Sequence, residues 1–241
     1  MRSARAHADN AIMSFFSPLG VRRRYTPPDM QGTDSLHVSS TGVTASIALA
    51  GAVLAGVALG FGTQALQGSL GGSSAVLANS GAVWVIAAFA VGLVMSSGRL
   101  ACIGGATCLV AAPISYYIAV DWFEGIASAF RGPAIWATAG VIAGSTFGLA
   151  GYLARHDTRH RRSAWALLAG VLIGEGIHLT WHAGNNELRP AGIVELAIAA
   201  LLATLILRWE KTTALTAATM ATATVITLVA ISLINTVFAA A

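Results

Sequence analysis

The stretch AGVIAGSTFGLAGYLARHDTRHRRSAWALLAGVLIGEG, residues 139–176, decides the fold. A glycine-spaced apolar run enters it, the basic cluster ARHDTRHRRS at 154–163 interrupts it, and a second apolar run leaves it. Extended to their natural limits, at 134–154 and 163–182, both runs reach the ~20 residues that a helix needs to cross a bilayer. Four arginines at the junction do not enter hydrocarbon. The junction therefore reads as a turn between two membrane-crossing helices, on the side where basic residues accumulate.

The same alternation runs through the chain. Of its 241 residues, 56% are hydrophobic and 10% charged, and the mean hydropathy is +0.71. A soluble domain carries roughly 25% charged residues, so this is a membrane protein. Further apolar segments at 44–66, 81–97, 101–120, 191–208 and 213–238 bring the expected number of crossings to seven. The fold class is all-α, a polytopic bundle of about seven transmembrane helices in a multi-pass protein of the plasma membrane.

Charge sets the expected orientation. With the N-terminus inside, twelve of the fourteen basic residues fall on the cytoplasmic side, and only Arg131 and Arg189 lie outside. The positive-inside rule thus predicts an internal N-terminus and an external C-terminus. It also explains a pI near 9.6 without a nucleic-acid partner. Residues 1–42 are polar and arginine-bearing and read as a flexible basic cytoplasmic arm, leaving 43–241 as the membrane domain. VRRRYTPPD resembles a twin-arginine signal, but the first apolar segment begins about twenty residues too late.

Small residues mark helix contacts, because close backbone approach drives packing where lipid removes the hydrophobic drive. Gly140, Gly144 and Gly148 form one stripe, with Gly56 and Gly60, and Gly170 and Gly174, as shorter ones. Pro133 and Pro190 suit helix starts. Pro113 lies inside the third segment, where it frees the Leu109 carbonyl, should kink the helix and should widen the outer half of the bundle. Cys102 and Cys108, six apart, lie on different faces and read as packing residues.

Polar residues gather at the end of the bundle opposite the basic turns. In SYYIAVDWFEG, residues 115–125, Tyr117, Asp121 and Glu124 share one face if the helix continues through them, flanked by Tyr116, Trp122 and Phe123. Tyr and Trp at this level also suit an interfacial belt, but a belt needs no carboxylates. In GEGIHLTWH, residues 174–182, Glu175, His178 and His182 recur at three and four. Trp181 and, beyond the loop HAGNNELRPAG, Glu195 complete the set. A charge at the centre of a membrane helix costs about 2.5–3.5 kcal/mol on insertion scales, so Glu175 should face the bundle interior. Tyr117, Asp121 and Glu124 are expected to look across the bundle toward it. Glu-x-x-His also occurs in di-iron bundles, but the second such unit those sites need is missing, and neither a metal nor a cofactor is expected.

A desolvated acid, aromatic faces for a cation and a second carboxylate or histidine are the parts of an acid-initiated isoprenoid cyclisation. On this reading Asp121, Glu124, Glu175 and His178 are catalytic. Tyr116, Tyr117, Trp122, Phe123, Trp181, His182 and Glu195 line the site of a hydrophobic isoprenoid-like substrate. The alternatives are a proton-coupled small-molecule transporter, since intramembrane acids and histidines form proton relays, and a non-catalytic assembly or sensor protein.

Thirteen arginines against one lysine, with LANSGAVWVIAAFAVG at 77–92 and ISYYIAVDWFEG at 114–125, give the chain a resemblance to a group of small actinobacterial multi-pass membrane proteins without an assigned function. Its compact helical size and scattered acids are similar in kind to bacterial membrane-bound terpene cyclases. No motif transfers a catalytic role residue by residue.

Overall fold

The computed structural model describes residues 31–126, 130–208 and 214–239, with side chains from residue 44 onward. The expected arm at 1–42 lies mostly outside the described residues. Within it, the backbone is already helical from Gln31. Residues 1–43 and 44–241 form separate units, and the second holds the membrane domain.

That unit is helical, with no strand among the described residues. Among the described residues, seven helices are long and apolar enough to cross a membrane. The first crossing is Thr44–Ser69, within helix α1 (Gln31–Ser69). The second, Gly72–Val94, is broken into a short α2 (Gly72–Ala78) and α3 (Gly81–Val94). The remaining crossings are built on α4 (Gly98–Glu124), α5 (Arg131–His156), α6 (Arg161–Ile177), α7 (Arg189–Arg208) and α8 (Ala214–Ala239). The expected segments correspond one to one. The second differs most: the apolar run spans 81–97, and the structure extends the crossing backward to Gly72 and ends it at Val94.

The glycine stripes seat the helices on one another. A Cβ on Gly144 would overlap the Gly105 carbonyl, and one on Gly148 the Ala101 carbonyl, so α5 lies backbone to backbone on α4. Gly92 brings α3 against Gly148 on the same helix. Gly56 and Gly60 seat α1 on Cys108, Ala112 and Ser115 of α4, and Gly170 and Gly174 seat α6 on Met220, Thr224 and Thr227 of α8. The core between these helices holds Val85, Ala88, Phe89, Met95, Leu109, Phe147 and Leu168. Phe89 meets Trp165 with ring centroids 4.7 Å apart. Large apolar residues elsewhere, such as Ile142, Leu201 and Ile226, point outward, as helices solvated by lipid require.

Helix ends follow from local chemistry. Arg155 Nη1 donates to Leu93 O, and Arg161 Nε to Ala154 O, so part of the basic cluster satisfies carbonyls left free at helix C-termini. Asp157 turns the chain by accepting from the backbone N–H of Arg159 and His160, and its other oxygen lies 2.7 Å from His160 Nδ1. These contacts, the His160 ring first, hold the Asp157 carboxyl below its ordinary range. Pro113 is buried inside α4, which runs unbroken from Gly98 to Glu124. The Leu109 carbonyl that it leaves without an intrahelical N–H faces Gly140, where a Cβ would overlap it.

Candidate functional site

Beside Leu109 and Gly140, α3, α4 and α5 part and leave a cavity of about 250 Å³. Trp84 and Val85 of α3, Tyr116 and Tyr117 of α4, and Trp136 and Ala143 of α5 wall it, with Asn79 and Gly81 at the break in the second crossing. The volume is just under the roughly 300–1,000 Å³ of ordinary ligand pockets, so the cavity has room only for a small molecule. Its rings form a connected edge-to-face series. Trp84 and Tyr116 lie 6.4 Å apart between centroids, and Tyr116 and Tyr117 5.3 Å apart at 88°. Trp84 Nε1 is buried without a hydrogen-bond partner.

The two tyrosines also border a second, more polar hollow, lined by Gln64, Gln67, Gly68, Val120 and Glu124. Here α1 is tied to α4 by two side-chain hydrogen bonds. Gln64 Nε2 donates to Glu124 Oε1 at 2.5 Å, and Tyr116 Oη donates to Gln67 Oε1 at 2.9 Å. An aromatic chamber and a polar vestibule thus share the wall made by Tyr116 and Tyr117.

A separate cluster forms behind the break at Asn79–Ser80. Glu175 of α6 accepts from Gly81 N at Oε1, 2.9 Å, and from Ala82 N at Oε2, 2.6 Å. It takes up two of the N–H groups that every helix N-terminus leaves free, where the helix dipole favours a negative group. Ser80 is the N-cap of α3, with its Oγ 3.1 Å from Ala82 N, and it reaches Glu195 Oε1 of α7 at 2.6 Å. Glu195 is 2% exposed, and its Oε2 has no partner. Gly81 keeps the approach open, since a Cβ there would stand 3.3 Å from Glu175 Oε2.

The sequence-derived candidates divide accordingly. Tyr116, Tyr117 and Glu124 come together at the chamber and vestibule, and Glu175 and Glu195 come together at the break. Asp121 is exposed, and so are Trp122, Phe123, Glu124, Trp181 and His182, though Glu124 accepts a side-chain hydrogen bond from Gln64. The expected view from Tyr117, Asp121 and Glu124 across to Glu175 is not what the helices make, because Glu124 turns to Gln64 on α1 while Glu175 turns to α3. His178 is half-buried at the start of a π-helical turn, His178–His182, in which Ala183 N donates to His178 O. That extra residue per turn moves His182 off the face that regular spacing gives it with Glu175 and His178. No group of three or more His, Cys, Asp or Glu with metal-site spacing occurs among the described residues.

Gln64 and Gln67 belong to the polar end of the bundle that the sequence marks, whereas Ser80, Trp84 and Trp136 are not singled out by it. Ser80 carries a readable signal: a serine followed by glycine, directly ahead of an apolar run, is an N-cap. Trp84 and Trp136 sit inside apolar runs, where periodicity does not separate a cavity wall from a lipid face.

These features define an all-helical membrane protein with a pocket among its helices. The chain belongs to a family of unknown function, DUF6518, which matches residues 39–237. No curated protein and no solved structure matches it.

Proposed function

We propose that the protein binds a small lipid-soluble molecule, its apolar body in the aromatic chamber and its polar end in the vestibule. The observation that carries this is the shared wall. Tyr116 and Tyr117 face a chamber of about 250 Å³ on one side and Gln64, Gln67 and Glu124 on the other. An apolar pocket with a few convergent polar groups is the usual form of a ligand site.

An acid-initiated isoprenoid cyclisation is the narrower reading. Its support is the four rings of Trp84, Tyr116, Tyr117 and Trp136, whose faces would stabilise a carbocation, and the Glu124 carboxyl at the vestibule. On this reading Glu124 is the acid, and Asp121, which lines neither the chamber nor the vestibule, is not. With the N-terminus inside, the site opens to the external leaflet.

Binding is tested with a brominated isoprenoid alcohol, which quenches tryptophan fluorescence on contact. Saturable quenching is expected in the wild type, reduced in Trp84→Phe, and its absence overturns the proposal. Incubation with an isoprenoid epoxide tests the chemistry. A cyclic product of unchanged mass, lost in Glu124→Gln, supports it; binding without conversion leaves a receptor and removes the enzyme.

A further inference from the structure

We infer that Glu175 and Glu195 hold a single proton between them at the break in the second crossing, joined through the Ser80 hydroxyl. This site borders the aromatic chamber at Gly81 but does not rest on the ligand proposed for it.

Hydrogen counting carries the inference. The cluster holds three donors, the N–H groups of Gly81 and Ala82 and the Ser80 hydroxyl, against four carboxyl oxygens. Glu175 receives both N–H groups, one on each oxygen, which is the acceptor pattern of an ionised carboxylate. Glu195 has one contact, Ser80 Oγ at Oε1, and its Oε2 is bare in a side chain that is 2% exposed. A bare ionised oxygen in such surroundings is far more unfavourable than a bare neutral carbonyl. With a proton on Oε1, Glu195 donates to Ser80 Oγ and Oε2 becomes that carbonyl. The Ser80 hydrogen then turns to Glu175, which is also within its hydrogen-bonding reach. Every donor is used, and the chain runs from acid to hydroxyl to carboxylate at a helix N-terminus.

No countercharge competes with the proton. Among the described residues no basic group pairs with either carboxyl. On α6, His178 lies one turn beyond Glu175, and His182 is exposed. On α7, Arg189 Nε donates to Thr180 O. The α5 bases sit at its ends, with Arg131 on Val237 O and Arg155 on Leu93 O. Helices α2, α3 and α8 carry no ionisable side chain. Two carboxyls that share one site without a cation do not ionise together. The break serves this purpose: a discontinuous membrane helix offers an N-terminus to an anionic group at depth.

Infrared spectroscopy of the full chain in lipid nanodiscs reads the proton directly. A carboxylic-acid carbonyl band at neutral pH, shifted in heavy water, lost in Glu195→Gln and displaced in Ser80→Ala, is the expected result. Absence of an acid band in the folded wild type overturns the inference, as does a band unchanged by Glu195→Gln. Carbon-13 glutamate labelling gives a second reading with the cluster itself unaltered. A protonated glutamate carboxyl that persists in Glu124→Gln is expected at neutral pH, and its absence there overturns the inference.

Discussion

Ser80 Oγ and Glu195 Oε1 lie 2.6 Å apart, joining the break in the second crossing to the sixth across 115 positions of sequence. The contact makes one small side chain do two jobs, as the cap of α3 and as the partner of a buried acid. Ser80→Ala removes both and leaves Glu195 without any polar contact. A stability loss of about 2–4 kcal/mol is expected, combining a lost cap with an unsatisfied buried group. Thermal unfolding in detergent against wild type measures it.

Gly144→Leu should fail in a different way. Its side chain would enter the space of the Gly105 carbonyl and Ala106 backbone, neither of which can rotate aside. A loss at or above the ~1–3 kcal/mol typical of overpacking is expected, seen as poor accumulation in the membrane. Gly62, with nothing within 4 Å of an added Cβ, is the control, and Gly62→Ala should be neutral or stabilising by up to about 1 kcal/mol.

The two acids at the end of α4 should separate sharply. Glu124→Ala strips the partner from Gln64, which is 4% exposed, and should lower stability by about 1–3 kcal/mol. Asp121→Ala, at an exposed position, should stay within about 0.5 kcal/mol. Equal effects in the same unfolding assay would mean that the tie from α1 to α4 is not formed.

Filling the chamber tests ligand binding without touching a polar group. Ala143 lines the cavity on α5, and Ala143→Phe should weaken quenching by the brominated isoprenoid alcohol at least tenfold while the unfolding midpoint changes little. Retained affinity would place the ligand elsewhere.

The turn between α5 and α6 should loosen in acid. Asp157 has its carboxyl held below the ordinary range, chiefly by His160. Its contribution is therefore fully present above the ordinary carboxylate range and is lost as pH falls through the lowered value. Amide protection factors at Arg159 and His160, whose N–H groups donate to Asp157, should be highest near neutrality and fall in acid once the intrinsic pH dependence of exchange is divided out. Asp157→Asn should remove that pH dependence.

The architecture was legible because hydropathy and charge act along the chain. A crossing needs a run of apolar residues, and the glycine stripes declare which faces touch. Gly140, Gly144 and Gly148 lie against α4 as their spacing implies. The site was legible only in part. Tyr116, Tyr117 and Glu124 are legible as neighbours on one helix, but the meeting of Glu175 with Glu195 at the start of α3 is not. The π turn at His178–His182 altered a face that regular helical spacing predicted. Trp84 and Trp136 resemble any other apolar residue in their segments.

By itself, then, the sequence determined seven segments long and apolar enough to cross a bilayer, their order and the glycine faces on which three of them pack, because each is a property of one segment and its solvent. Only the tertiary structure decided that Glu124 answers to Gln64 and Glu175 to the N-terminus of α3. A carboxyl takes whichever donor the packing brings within about 3 Å. That choice depends on how α3, α4 and α6 are placed side by side, which no single segment encodes.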